Sequence, residues 1–158
     1  MLIIGCGNRD RGDDGAGLMV AQRLRELGVK SEIRTGEALA LIEAWKGADD
    51  VVVVDAVVTG SAAGKVWLWD SGQVTTQLRL SVSTHGFGVA EAIKLARILD
   101  VLPKRLRVFG IEGQRFDFGS EISPEVMCAV EEVAQQITAE AVCQSTHGGT
   151  NPLQGNAS

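Results

Sequence analysis

Short apolar runs alternate along this chain with longer segments in which apolar residues recur every three or four positions. The apolar runs lie at residues 2–4, 29–35, 50–56, 65–70 and 106–111, and they predict five β-strands. The periodic segments predict four α-helices: one that ends near residue 28, and others at residues 38–45, 89–99 and from 124 onwards. Four consecutive valines in the run 50–56 indicate a strand that is buried on both faces, which is typical of a parallel sheet.

This alternation predicts the α/β class, with a three-layer sandwich in which helices cover both faces of a mostly parallel, twisted central sheet. A Rossmann-type domain is the alternative, with a similar architecture and a different ligand. The run at 65–70, KVWLWD, is expected at an edge of the sheet, where an antiparallel orientation is open to it. We predict a single α/β domain over residues 1–142 and a flexible tail over residues 143–158, where Ser, Thr, Gly, Asn and Gln accumulate.

Composition narrows the class of protein. The 158 residues carry 15 basic and 20 acidic side chains, a formal net charge of −5 without a basic run, so no nucleic-acid partner is expected. The three cysteines form no C-x-x-C pair, which argues against a cysteine zinc site or a disulfide framework and fits a reducing compartment. No stretch resembles a signal peptide or a membrane span, so we expect a cytoplasmic protein without a membrane partner.

A glycine turn follows the first predicted strand. Gly5 and Gly7 could begin a dinucleotide-binding G-x-G-x-x-G motif, but Asp10 stands where the third glycine is required. An acidic side chain is unfavourable beside a pyrophosphate. Because hard and borderline divalent cations prefer oxygen ligands such as carboxylates, this turn is better suited to a cation than to a phosphate.

Polar side chains follow the predicted strands at the edge where parallel sheets bind their ligands. Asn8, Asp10, Asp13 and Asp14 come after the first strand, and Asp55 ends the valine-rich strand at the same edge. Carboxylates in a first helical turn also stabilise the helix dipole, and this structural role would account for at least one of the acids after the first strand. Asp55 could be a turn cap, although the residues that follow it do not resemble a helix that needs one.

Four short motifs, taken together and in order, resemble those of one family. They are GCGN at residues 5–8, DDGAG at residues 13–17, VDA at residues 54–56 and THG at residues 84–86. The chain resembles the hydrogenase maturation endopeptidases, which trim the large subunit of nickel-iron hydrogenases, from residue 2 to about residue 140. The resemblance implies an α/β fold with a central twisted sheet.

The resemblance also implies a metal site. Carried over by motif, its ligands are Asp14, Asp55 and His85, although a lone histidine is more often a structural hydrogen-bonding residue. Some family members have Glu at the first position, so Asp14 shortens one ligand arm and is expected to shift the metal slightly. Two oxygens and one nitrogen leave coordination positions open, a donor set that suits nickel, zinc or cobalt. The family is thought to sense nickel in its substrate, and another divalent metal such as zinc or cadmium could occupy the same site.

The activity implied by the resemblance is removal of a C-terminal peptide from the nickel-loaded precursor of a hydrogenase large subunit. Asp14 and Asp55 would be catalytic, either assisting proton transfer beside a metal that activates water or the scissile carbonyl, or acting while nickel serves recognition alone. A cysteine mechanism is not favoured, because neighbouring carboxylates would raise the pKa of Cys6. Strand-end residues expected to line the substrate site are Asn8, Asp10, Gly36, Glu37 and Gly86.

Two other functions are compatible with parts of this pattern. A non-catalytic accessory protein could bind nickel and the precursor through Asp14, Asp55 and His85 without releasing a peptide. A nucleotide-binding α/β module would need the missing third glycine and would have to tolerate Asp10.

Overall fold

One five-stranded sheet forms the centre of the molecule, in a computed structural model that describes residues 1–77 and 87–147. Its strands are β1 (Leu2–Cys6), β2 (Glu32–Arg34), β3 (Asp50–Val57), β4 (Val66–Asp70) and β5 (Arg105–Glu112). Their order in the sheet is β2-β1-β3-β5-β4. The first four strands in this order are parallel, and β4 pairs antiparallel with β5 at the edge that the sequence predicted.

Helices cover both faces of the sheet. After a 3-10 turn at Gly12–Gly15, they are α1 (Ala16–Glu26), α2 (Ala38–Trp45), α3 (Ser71–Gln77), α4 (Phe87–Ile98) and α5 (Pro124–His147). Helix α1 packs with α5, and α2 packs with α4. The predicted three-layer α/β sandwich is therefore confirmed. Within the described ranges, no helix is both long enough and apolar enough to cross a membrane.

The consecutive valines of β3 divide between two cores. Val51 and Val53 face the core that contains Trp45 and α4, whereas Val52 and Val54 face the core that contains α1 and α5. All four valines are fully buried. Because side chains alternate between the two faces of a strand, a sheet that is covered on both sides requires apolar residues at every position. This requirement explains the strongest strand signal in the sequence.

Two elements differ from the sequence-based expectation. Strand β2 has three residues instead of the seven predicted, and the chain just before it is tied to α1 by the Ser31 hydroxyl, which donates to the Ala21 carbonyl. Helix α3 was not predicted, because its sequence, SGQVTTQ, has no apolar periodicity. Its start is stabilised by a reciprocal pair in which the Gln73 amide donates to Asp70 Oδ1 and the Asp70 amide donates to Gln73 Oε1.

The last helix is longer than the composition of the chain suggests. Helix α5 continues to His147, so the predicted boundary between residues 142 and 143 falls inside it. Residues 148–158 lie outside the described part of the chain, and a flexible tail there stays a prediction.

A close contact between α1 and two strands fixes the position of the first helix. A Cβ atom at Gly17 would lie 2.3 Å from the carbonyl oxygens of Cys6 and Val54, and one at Gly5 would lie 2.2 Å from the Gly17 carbonyl oxygen. These glycines therefore allow the helix backbone to touch the backbones of β1 and β3. No larger residue can be accommodated there without moving the backbone.

We expect Gly17→Ala to lower the free energy of unfolding by roughly 2–4 kcal/mol, because the added methyl group meets two backbone oxygens. The sign is opposite to the usual effect in a helix, where Ala is favoured over Gly by about 1 kcal/mol. Urea unfolding followed by circular dichroism measures the change. Gly15→Ala is the matched control, since the nearest atoms to its Cβ are 3.6 Å away. Equal stability of the Gly17 variant and the wild type would contradict the packing argument.

Candidate active site

The glycine turn after β1 closes directly against the 3-10 turn that carries Asp14. Gly7 has φ +140°, and a Cβ there would lie 1.9 Å from the Asp14 carbonyl oxygen. The Asn8 amide donates both to this carbonyl, at 3.3 Å, and to Asp14 Oδ2, at 3.1 Å. The turn therefore orients the Asp14 carboxylate, whose residue is only 1% exposed, at the carboxyl end of β1.

The neighbouring acid, Asp13, has a structural role. Its side chain is fully buried and accepts hydrogen bonds from the amides of Gln114 and Arg115, both at 2.9 Å. It also accepts from the amide and the hydroxyl of Ser123, both at 2.7 Å. Burial acts to raise the pKa of Asp13, but these hydrogen bonds outweigh it and hold the pKa below its usual value. Asp13 thus holds the connection between β5 and α5 in place beside the 3-10 turn. A role in stabilising the helix dipole was expected for at least one of the acids after the first strand.

Asp55 lies at the carboxyl end of β3, with 4% of its surface exposed. Its Oδ1 atom accepts a hydrogen bond of 2.9 Å from the Ala56 amide. Burial, and after it the negative charge of Asp14, raises the pKa of Asp55 well above the usual value for an aspartic acid. The two predicted catalytic acids are therefore electrostatic neighbours in different environments.

Cys6 shares this region but is not a good nucleophile. Burial raises the pKa of its thiol well above the ordinary value, and the charges of Asp55 and Asp14 raise it further, while the Arg34 guanidinium opposes them. The thiol therefore stays protonated at neutral pH, and the thiolate is the reactive form. The expectation that carboxylates raise the pKa of Cys6 is confirmed, with burial as the larger cause.

A cleft of about 810 Å³ opens beside Asp14. Its lining residues come from the glycine turn, the start of α1, β2 and the start of α2: Gly7, Asn8, Arg9, Asp14, Leu18, Ile33, Arg34, Thr35, Glu37 and Ala40. A cavity of similar size, about 790 Å³, lies at the amino ends of the parallel strands, against Met1, Lys30 and Asp49. Neither catalytic candidate lines it.

The structure brings together some of the residues expected to bind substrate. Asn8 and Glu37 line the cleft. Asp10 is exposed on the adjoining turn, where its amide donates to Asn8 Oδ1 and its carbonyl accepts from the Gly119 amide. Gly36, with φ +88°, approaches the start of α4 so closely that a Cβ at Gly88 would lie 1.7 Å from its carbonyl oxygen.

Two of the predicted residues cannot be placed. His85 and Gly86 lie outside the described residues. In the ranges that the structure does describe, no group of three or more His, Cys, Asp or Glu side chains is positioned to hold a metal ion.

Sequence reasoning missed several residues of the cleft: Arg9, Leu18, Ile33, Arg34, Thr35 and Ala40. Ile33 and Arg34 belong to a strand whose exact extent the apolar pattern did not define, and Leu18 follows the DDGAG motif without any distinguishing signal. Sequence reasoning also missed the buried carboxylate of Glu112, which accepts from the amides of Thr59 and Gly60 at 2.7 and 3.1 Å. The available signal for Glu112 was its position directly after the predicted last strand, residues 106–111; in the structure it is the final residue of β5.

Comparison with known proteins identifies the family. The model of a family described as hydrogenase maturation protease matches residues 35–140. The chain belongs to this family. Protein FrxA of Pyrococcus furiosus is 30% identical over 129 residues, which cover 80% of this chain and 93% of that protein. The hydrogenase 2 maturation protease of Escherichia coli is 22% identical over 145 residues, which cover 88% of each chain.

Solved structures give the same result for the fold. The hydrogenase maturating endopeptidase HybD from E. coli superposes with a TM-score of 0.76 at 23% identity, covering 91% of this chain and 92% of that one. The NiFe hydrogenase maturation protease HybD from Thermococcus kodakarensis gives 0.72 at 26% identity, covering 89% and 97%. The chain is thus a hydrogenase maturation protease, a hydrolase, and family membership favours this function over the nucleotide-binding alternative.

Replacing Asp13 by Asn should lower the free energy of unfolding by roughly 2–4 kcal/mol at pH 7, because the amide would place donor hydrogens opposite the N–H and O–H donors that now bind the carboxylate. The folded-state pKa of Asp13 is lowered, so its stabilisation is present above the unfolded pKa of about 3.9 and is lost as the pH falls through the folded pKa. The difference between wild type and variant should therefore shrink in acid. Asp10→Asn, at an exposed position, controls for loss of a negative charge. A pH-independent difference would contradict this account.

Asp55→Asn should stabilise the metal-free protein at pH 7, and the gain should be larger at pH 8 than at pH 4. The folded-state pKa of Asp55 is raised, so from about pH 4 upwards the unfolded chain releases this proton more readily than the folded chain, and the wild type loses stability. The variant has no such proton to lose. Thermal unfolding in the presence of a chelator, compared between pH 4 and pH 8, measures the effect, and a less stable variant at pH 8 would refute the prediction.

Proposed function

We propose that this protease removes a C-terminal peptide from the nickel-loaded precursor of a nickel-iron hydrogenase large subunit. The observation that supports it best is a pair of electrostatically coupled buried acids, Asp14 and Asp55, of which Asp14 lines a cleft of about 810 Å³. Family membership supports the substrate class, since structural relatives include a NiFe hydrogenase maturation protease.

The unequal environments of the two acids assign them complementary roles. The Asp14 carboxylate accepts the Asn8 amide hydrogen at Oδ2. Asp55, with its raised pKa, retains a proton more readily. Peptide hydrolysis requires a group that accepts a proton from the attacking water and a group that donates one to the leaving amine. With no metal on the acids, Asp14 would take the first role and Asp55, which retains its proton, the second. An Asp55 that binds nickel is ionised and can only accept a proton.

The same acids suit a divalent cation. The negative charge of Asp14 raises the pKa of the buried Asp55, so a positive charge between the two carboxylates would be favourable. Their oxygens, with the His85 imidazole, form a mixed donor set that nickel accepts. We propose that Asp14, Asp55 and His85 bind the nickel of the precursor, and that zinc or cadmium can replace it. A cation so bound would polarise the scissile carbonyl. Cleavage would then depend on prior loading of the substrate.

The proposed partner is therefore the large-subunit precursor, and the proposed location is the cytoplasm. The free thiols of Cys6, Cys128 and Cys143 support a reducing compartment.

Incubation of the enzyme with nickel-loaded precursor should remove a C-terminal peptide, whereas the same precursor without nickel should remain intact. Mass spectrometry of the intact products measures the difference. Asp14→Asn, Asp55→Ala and His85→Ala should each lower the cleavage rate by at least about 100-fold, because each removes a metal-binding or proton-transfer group.

Asp49→Asn is the matched control, since this exposed carboxylate directly precedes β3, at the amino end of that strand. The control variant should cleave at the wild-type rate. Cleavage of both precursor forms would refute the nickel requirement. Stable binding of a verified precursor without any loss of mass would instead support a non-catalytic accessory protein.

A further inference from the structure

The cleft runs along an edge of the sheet that no other strand within residues 1–77 and 87–147 covers. Strand β2 is terminal in the sheet and pairs with β1 in parallel register, with Glu32 opposite Ile4, Ile33 opposite Gly5 and Arg34 opposite Cys6. The Arg34 carbonyl accepts from the Gly7 amide of the chain after β1. Alternate residues of a parallel strand direct both backbone groups to the same neighbour. The N–H and C=O of Ile33 therefore point away from β1, towards the edge.

A side chain covers part of this edge. Arg34 Nη1 donates to the outward carbonyl oxygen of Ile33 at 2.9 Å, and Nη2 is held by Glu32 Oε2 at 2.5 Å. Charged side chains are a common means of protecting edge strands from unwanted pairing. The side chains of Arg34 and Glu32 are 39% and 40% exposed. Because exposed ion pairs contribute little free energy, a bound segment can displace this one.

The walls of the cleft lie on both faces of this edge. Leu18 comes from α1, which packs on one face of the sheet, and Ala40 comes from α2, which packs on the other. An added strand would direct alternate side chains to these two walls. Asp14 lines the same cleft, so a strand placed there leads to the proposed catalytic acid.

We propose that the C-terminal segment of the precursor binds in extended form along β2, as an additional strand of the sheet. This inference rests on the proposed function. The Ile33 amide donates to a carbonyl of the bound segment, and an amide of that segment replaces Arg34 at the Ile33 carbonyl. Backbone pairing gives affinity that depends little on sequence, while the two walls select side chains. The other edge, β4, is separated from β1 by β3 and β5 and does not adjoin the cleft.

Amide hydrogen exchange tests this arrangement directly. The sample is the Asp55→Asn enzyme bound to a nickel-loaded precursor that the wild-type enzyme is shown to cleave. Exchange at the Ile33 amide should slow at least about tenfold on binding, because an inter-strand hydrogen bond protects it. Unchanged exchange at Ile33 in the bound complex would overturn the inference and leave the proposed function intact. If the wild-type enzyme cleaves no nickel-loaded precursor, the proposed function is refuted. The proposal that a precursor segment binds along β2 is then refuted as well.

A proline variant provides a second, kinetic test. Ile33→Pro removes the outward N–H without removing a hydrogen bond to β1, and proline is tolerated on edge strands. We expect KM for the precursor to rise roughly three- to tenfold beyond that of Ile33→Ala, which keeps the N–H, while kcat stays within about twofold. Thermal unfolding checks that both variants are folded. Equal KM values for two folded variants would overturn the proposal.

Discussion

The contact of Gly17 with the carbonyl oxygens of Cys6 and Val54 is the constraint on which the site depends. It brings the backbone of α1 into direct contact with the backbones of β1 and β3. The two contacted residues directly precede Gly7 and Asp55. The 3-10 turn that carries Asp14 leads directly into this helix. The position of one acid relative to the other is thus set by backbone contacts that side-chain motion cannot relax.

Asp13 and Asp55 are both buried, but their surroundings give their charges opposite effects on stability. Asp13 faces four donors from the connection after β5, so its charge is stabilised and stabilises the fold. Asp55 receives one backbone hydrogen bond and the repulsion of Asp14, so its charge is unfavourable there. The lowered pKa of Asp13 reflects its structural hydrogen bonds, whereas the raised pKa of a buried acid such as Asp55 is more common at functional sites. The sequence letters alone do not distinguish these environments.

Much of the fold could be predicted from the sequence because it depends on burial pattern. The valines of β3 indicated a strand covered on both faces, and the helix at Ala38–Trp45 has the predicted bounds. Helix α3 was missed because its start depends on the Asp70–Gln73 cap and not on apolar periodicity.

In the site, the positions of Asp14 and Asp55 could be predicted, because both acids follow or end strands whose carboxyl ends lie on the same side of the sheet. The role of Asp13 could not, because its partners are 101 to 110 residues away in the chain.

The buried Asp55 carboxyl reduces stability when it ionises, and the surrounding fold offsets this locally. Strands β1 and β3 are held by two apolar cores, one on each face. The carboxylates of Asp13 and Glu112 secure the loops beyond β5 and β3 through backbone amides. Because these hydrogen bonds do not involve the side chains of Asp14 and Asp55, replacing the two acids should leave the connections after β5 and β3 in place.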